Sequence, residues 1–122
     1  LQKTVIAFGA AALALFSALP ASATSKACTA ASYYGHGDGF HGQRTANGER
    51  FNGYGTTTAH RNLPFGTRLK VTNQQNGKTV IVRVTDRGPF IAGRGLDLSY
   101  GAFSQIAHPG QGVAKVCYAK MS

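Results

Sequence analysis

Carboxylates are scarce in this chain. Its 122 residues carry 13 lysines and arginines against 4 aspartates and glutamates, a formal charge of +9. Acid/base chemistry that needs a carboxyl group is thereby confined to Asp38, Glu49, Asp86 and Asp97. Cysteine is equally rare. The two present, Cys28 and Cys117, stand in no CxxC or CxxH pairing, so a cysteine zinc centre has no support. Charged residues of both signs make up only 14% of a chain that is 43% hydrophobic, which excludes a disordered basic tail. The length suits one domain and is too short for a large enzyme core. Repeats and low-complexity linkers are absent, and 16 glycines spread along the chain favour short strands and turns over long helices.

The N-terminal segment has the form of a secretory signal. Lys3 precedes an apolar run from Val5 to Leu19, followed by Pro20 and Ala21-Ser22-Ala23, which predicts cleavage after Ala23. The run is shorter than the ~20 apolar residues that span a bilayer. Lys26, two residues before Cys28, argues against a lipid-bearing cysteine. The expectation is residues 1–23 as signal peptide and residues 24–122 as one exported domain of charge +8, Lys3 being the one charge removed. The domain would be soluble, periplasmic or secreted, with no stable membrane insertion after cleavage. In an oxidising compartment Cys28 and Cys117 most simply form a disulfide, worth about 4 to 5 kcal/mol on the chain-entropy model. Two unrelated buried thiols are the alternative.

Ala31 to Tyr34 reads as a short strand entering the glycine-rich stretch Gly35-His36-Gly37-Asp38-Gly39. Arg68 to Thr72 alternates polar and apolar residues, Asn76-Gly77 offers a turn, and Thr79 to Thr85 is β-branched except at Arg83. Together they predict a hairpin. Asp86-Arg87-Gly88-Pro89 then halts the second strand. Ser99 can cap a helix to about Ala107, with Tyr100, Phe103 and Ile106 forming an apolar stripe. Val113 to Met121 reads as a final strand. Such a chain favours a closed or nearly closed β-structure with one short helix.

Glycan hydrolysis calls for a proton donor and a second carboxylate. Asp86, at a strand end before a rigid turn, is the best-mounted acid, although a purely turn-forming role fits it equally well. Glu49 alone is an ordinary surface glutamate. Asp97 fits helix-start electrostatics, and Asp38 a solvated loop. His36, Asp38 and His41 match no zinc spacing, so neither a metal nor another cofactor is expected. His60 alone would be structural. Nucleic-acid binding has only the net charge in its favour and is not expected, because basic residues do not cluster with aromatics.

An ordered set of segments carries more information. Ala31-Ser32-Tyr33-Tyr34-Gly35, Arg44 to Phe51, Thr58-Ala59-His60-Arg61, Leu63 to Thr67, Val71-Thr72-Asn73 with Asn76-Gly77, Val82-Arg83-Val84, Asp86 to Phe90 and Asp97-Leu98-Ser99 resemble the catalytic domain of the rare lipoprotein A family. The resemblance implies a mainly β fold, a six-stranded double-psi β-barrel related to expansins, with one short helix. It also implies an endolytic lytic transglycosylase that cleaves MurNAc-GlcNAc bonds in peptidoglycan glycan strands, preferably peptide-stripped, leaving 1,6-anhydro-MurNAc ends. Because the muramyl 6-hydroxyl is the nucleophile, one carboxyl group can serve as both acid and base. Carried over by position, the catalytic constellation is Asp86, Glu49 and His60, with Asp86 as general acid/base. Asn52, Arg87 and Tyr33 are the expected substrate-binding residues, and Tyr33, Phe51 and Phe90 are each candidates for groove or core. Family members often have an aspartate where this chain has Asn52. That departure keeps open an expansin-like or wall-binding barrel that does not cut. Glycan strands are the expected partner, and the protein is expected to be a monomer.

Overall fold

The computed structural model describes residues 26–121, so the expected signal segment and its cleavage point lie outside the described residues. Six strands are joined edge to edge: β1 (Lys26–Tyr34), β2 (Thr57–Ala59), β3 (Arg68–Asn73), β4 (Thr79–Asp86), β5 (Arg94–Ser99) and β6 (Ala114–Lys120). They close into a barrel in the order β1-β5-β2-β4-β3-β6. The pairs β1–β5 and β2–β4 are parallel and the other four antiparallel. Closure leaves no free sheet edge among the described residues.

Alternation builds the wall. Leu69 and Val71 of β3, Val80, Val82 and Val84 of β4, and Leu96 and Leu98 of β5 point inward and are buried, while Arg68, Lys70, Ile81 and Arg83 point outward. The barrel is plugged by α1 (Tyr100–Ile106), whose Ala102, Phe103 and Ile106 are fully buried. Burying a side chain such as Phe103 is worth about 2 to 3 kcal/mol. The Ser99 hydroxyl caps α1 by accepting from the Ala102 N–H, and it also donates to the Gly55 carbonyl at 2.7 Å. At the far end of α1 the buried Asn73 amide donates to the Ile106 carbonyl at 2.7 Å.

The expected hairpin, helix and last strand are all present, and β1 begins five residues before the predicted Ala31. Two strands lie where none was read from the local pattern, β2 and β5. Asp97 belongs to β5 and not to the helix start: its carboxylate accepts from the Ser32 hydroxyl across the parallel β1–β5 pair at 3.0 Å. Cys28 and Cys117 stand opposite each other in the antiparallel β1–β6 register and form the disulfide, stapling the first strand to the last.

Candidate active site

The chain between β1 and β2 folds back across the end of β4. Gly35 (φ +101°) and Gly53 set its base: a side chain at Gly53 would collide with the Gly35 carbonyl, so only glycine permits this approach. A tight turn over residues 45–49 then lies along β4, with the Asn47 N–H donating to the Thr85 carbonyl at 3.2 Å.

Asp86 sits where this turn meets the strand. Opposite β2 the register shifts between Thr58↔Val84 and Ala59↔Asp86, leaving Thr85 as an extra residue that re-aims the strand end. Oδ1 of Asp86 accepts from the backbone N–H groups of Ala46 and Arg87, each at 3.0 Å, and Oδ2 accepts from the Tyr34 hydroxyl at 3.1 Å. Burial and, second, the Asp86 carboxylate push the Tyr34 phenol well above its ordinary pKa, so it keeps its proton and remains a donor. The Tyr34 ring is held by parallel stacking on Phe51, centroids 4.4 Å apart, with the edge of Phe40 against it. One lone pair of Oδ2 is left for a proton in transit.

Tyr34 is the residue that sequence reasoning passed over in favour of its neighbour. Tyr33 points the other way, packing on Phe103 and Tyr100 and donating its hydroxyl to the Pro109 carbonyl at 2.9 Å. Strand alternation was the available signal: Ser32 and Tyr34 share one face and each meets an aspartate, whereas Ala31 and Tyr33 share the core-facing side.

Glu49 is brought to the same strand but not to Asp86. Its carboxylate accepts from both terminal nitrogens of Arg83, at 2.8 and 2.9 Å, and from the Asn47 amide at 2.6 Å. The Arg83 and Asn47 hydrogen bonds lower its pKa to about 2. The pair lines a cleft of about 480 Å³ that also takes in Asn52, Arg50 and Arg68, with Thr45 and Thr85 at the end next to Ala46 and Asp86. Asp86 itself stands just outside this lining. Asn52 is exposed and its Oδ1 accepts from the Tyr54 N–H at 3.0 Å, a turn bond that an aspartate would make equally.

Both ring nitrogens of His60 bond to groups other than the Asp86 carboxyl. Its Nδ1 accepts from the N–H groups of Asn62 and Leu63, which puts the proton on Nε2, where it donates to the Tyr118 hydroxyl at 3.1 Å. Burial first, then Arg87 and Arg61, hold the imidazole below its usual pKa, hence neutral. Its link to Asp86 is through the backbone, His60 N–H to the Asp86 carbonyl at 3.1 Å. Arg87 lies 3.9 Å over the Phe65 ring and donates to the His60 carbonyl. Phe51 is buried under Tyr34, and Phe90 is 80% exposed. Among the described residues no group of three or more His, Cys, Asp or Glu is placed to hold a metal; His36 stacks on Tyr100, and Asp38 and His41 accept backbone N–H groups.

Residues 26–118 match the profile of the family described as "Lytic transglycolase". Over 86 residues, 70% of the chain, it is 59% identical to a probable endolytic peptidoglycan transglycosylase RlpA of Nostoc sp. and 51% identical to the endolytic peptidoglycan transglycosylase RlpA of Pseudomonas aeruginosa. It spans only 23% and 25% of the lengths of those relatives. The fold is similar to that of an expansin from Clavibacter michiganensis, with a TM-score of 0.65 at 23% identity over 80% of this chain and 51% of that one. A Streptomyces papain inhibitor matches with a TM-score of 0.64 at 21% identity, over 80% and 96% of the two chains. The closed six-stranded barrel, the profile match and these relatives agree with the motifs: the chain belongs to the lytic transglycolase family, as a double-psi β-barrel of the rare lipoprotein A type.

Proposed function

We propose that the protein is an endolytic peptidoglycan lytic transglycosylase in which Asp86 is the general acid and base. The observation that carries this reading is the Asp86 carboxyl, held by three donors at a strand end with one lone pair of Oδ2 free. In the reaction Asp86 gives its proton to the oxygen bridging MurNAc to GlcNAc as the bond from that oxygen to the muramyl anomeric carbon breaks. The muramyl 6-hydroxyl oxygen bonds to the same carbon and its proton passes to the Asp86 carboxylate. One C–O bond is lost, one is formed, and no water is consumed, so a single carboxyl group returns to its starting state. Tyr34 orients that group. Glu49, from the adjoining turn, and Arg83, from the same strand, line the cleft in which neighbouring sugars lie.

The substrate we assign is the peptide-stripped glycan strand, met by a monomer in the periplasm or outside the cell after removal of residues 1–23. An excess of basic charge draws the domain toward an anionic wall polymer, an attraction that salt weakens. The test is to incubate intact and amidase-stripped sacculi with the protein and with Asp86→Asn, then read the products by mass spectrometry. Anhydro-muramyl ends that vanish in the variant support the reading. Reducing ends would make the protein a hydrolase, and sedimentation with sacculi without soluble products would make it the wall-binding barrel that Asn52 leaves open.

A further inference from the structure

The outward face of the β3–β4 hairpin breaks a rule of strand pairing. Arg68 and Arg83 are direct cross-strand partners, a like-charge pair that costs stability. Glu49 neutralises Arg83 through two hydrogen bonds. Arg68 receives no such compensation: among the described residues its guanidinium has neither an ion pair nor a hydrogen bond, although it lines the same cleft. A second feature of that lining is unusual. Thr57 and Thr85 line the cleft, and their buried hydroxyls have no hydrogen-bond partner among the described residues. Buried polar groups are nearly always paired, so two unpaired hydroxyls beside one cleft mark its wall as polar.

We infer that Arg68 is the anion-reading residue of this cleft and that its ligand is the carboxylate of the muramyl lactyl ether, the group set free when a stem peptide is removed. The inference rests on the glycan reading above and gives it a specificity determinant. A guanidinium matches a carboxylate in a planar, two-bonded geometry. The lactyl group is attached to the sugar ring itself, so a ring lodged against the threonine-lined wall presents its carboxylate within reach of the adjoining arginine. Stem-peptide carboxylates are the other source of the same chemistry, but they lie beyond an amide link and several bonds from the sugar ring. In a peptide-bearing strand the lactyl carbonyl is an uncharged amide, and Arg68 would face no anion.

The test uses Asp86→Asn protein, which does not consume its ligand, titrated calorimetrically with a tetrasaccharide of alternating GlcNAc and MurNAc. Three forms are compared: free lactyl acid, lactyl methyl ester and stem-peptide conjugate. The acid is expected to bind about tenfold more tightly than the ester, the size of one charge-assisted contact. Adding Arg68→Gln should abolish that difference, with Tm unchanged or raised because the repulsion with Arg83 is relieved, and Arg68→Lys should keep part of it. In the active protein Arg68→Gln should raise KM for stripped glycan and leave kcat in place. Equal binding of acid and ester, or discrimination that survives Arg68→Gln, overturns the assignment. Binding of the peptide conjugate as tight as that of the acid moves the carboxylate to the stem peptide and overturns it as well. Anhydro products from the active protein together with equal acid and ester binding would remove the arginine assignment alone; no binding of any fragment and no anhydro products would remove both readings.

Discussion

Two carboxylates meet β4 and are held in opposite ways. Asp86 is gripped by short, rigid groups: two backbone N–H donors and a phenol whose ring is clamped by stacking on Phe51. Glu49 is gripped by a long one, the Arg83 side chain, and the two side chains are 40% and 44% exposed. A carboxyl that must deliver a proton along one direction gains from the first arrangement, because its supports are ordered before substrate arrives. The second arrangement sets charge in a cleft and can yield as a chain of sugars passes. The same loop supplies both, through the Ala46 N–H on one side and Glu49 on the other, so the contrast lies in the supporting groups and not in distance along the sequence.

Substitutions that strip these supports separate the two. Asp86→Asn should lower turnover of stripped sacculi by about 10² to 10⁴, the usual worth of a general acid and base. Retained sedimentation with sacculi would show the cleft intact. If turnover survives while Glu49→Gln abolishes it, the assignment of the two acids is reversed. Tyr34→Phe comes next: it keeps the stack on Phe51 and removes only the hydroxyl donor. A drop in kcat of about tenfold at constant KM is expected, in keeping with one lost hydrogen bond to a charged group. A fall in KM or Tm with kcat preserved would reduce Tyr34 to packing.

How far the sequence announces this site depends on the length over which a pattern runs. The β3–β4 hairpin is legible because inward and outward positions alternate on both sides of Asn76-Gly77, and α1 because Ser99 precedes residues spaced by three. The strand β2 is three residues long, too short to show a period. In β5 the alternation of Leu96 and Leu98 is real, but the cap at Ser99 draws Asp97 into the helix start, and only the parallel pairing with β1 reveals its partner Ser32. The motifs point to both Asp86 and Glu49, yet their separate surroundings come from a bulge at Thr85 and from a β4 arginine that the 45–49 turn meets, features of tertiary placement that no local window contains. Tyr33 and Tyr34 differ by one residue and therefore by a whole face of the strand.

His60 gives a smaller effect with a pH signature. Because its pKa is lowered in the folded protein, the unfolded chain takes up a proton on His60 first as the pH falls below about 6.5. Stability contributed by the neutral imidazole is therefore whole above that value and declines as the pH drops toward the lowered folded pKa. Urea titrations of His60→Gln should show this acid-side slope gone, and a cost of about 1 kcal/mol at neutral pH from hydrogen bonds to the Asn62 and Leu63 N–H groups that are no longer well made. The pH profile of kcat should keep its shape, since neither ring nitrogen bonds to the Asp86 carboxyl. Collapse of kcat without loss of stability would draw His60 into the reaction.

Glu49→Gln should have the smallest effect on stability, about half a kcal/mol, because both partners of its ion pair are well exposed and solvent screens them. The sign of its pH dependence is opposite to what a raised acid would give. With the carboxyl held at about 2 in the folded chain against an ordinary 4.5, the stabilisation is complete above about 4.5 and fades as the pH falls through 2. The difference between wild type and variant, followed by urea unfolding from pH 7 to pH 2 at low salt, should shrink over that window and should shrink also with added salt at pH 7. A difference of several kcal/mol, insensitive to salt, would mean that Glu49 is held as rigidly as Asp86, and the contrast between the two carboxylates would no longer stand.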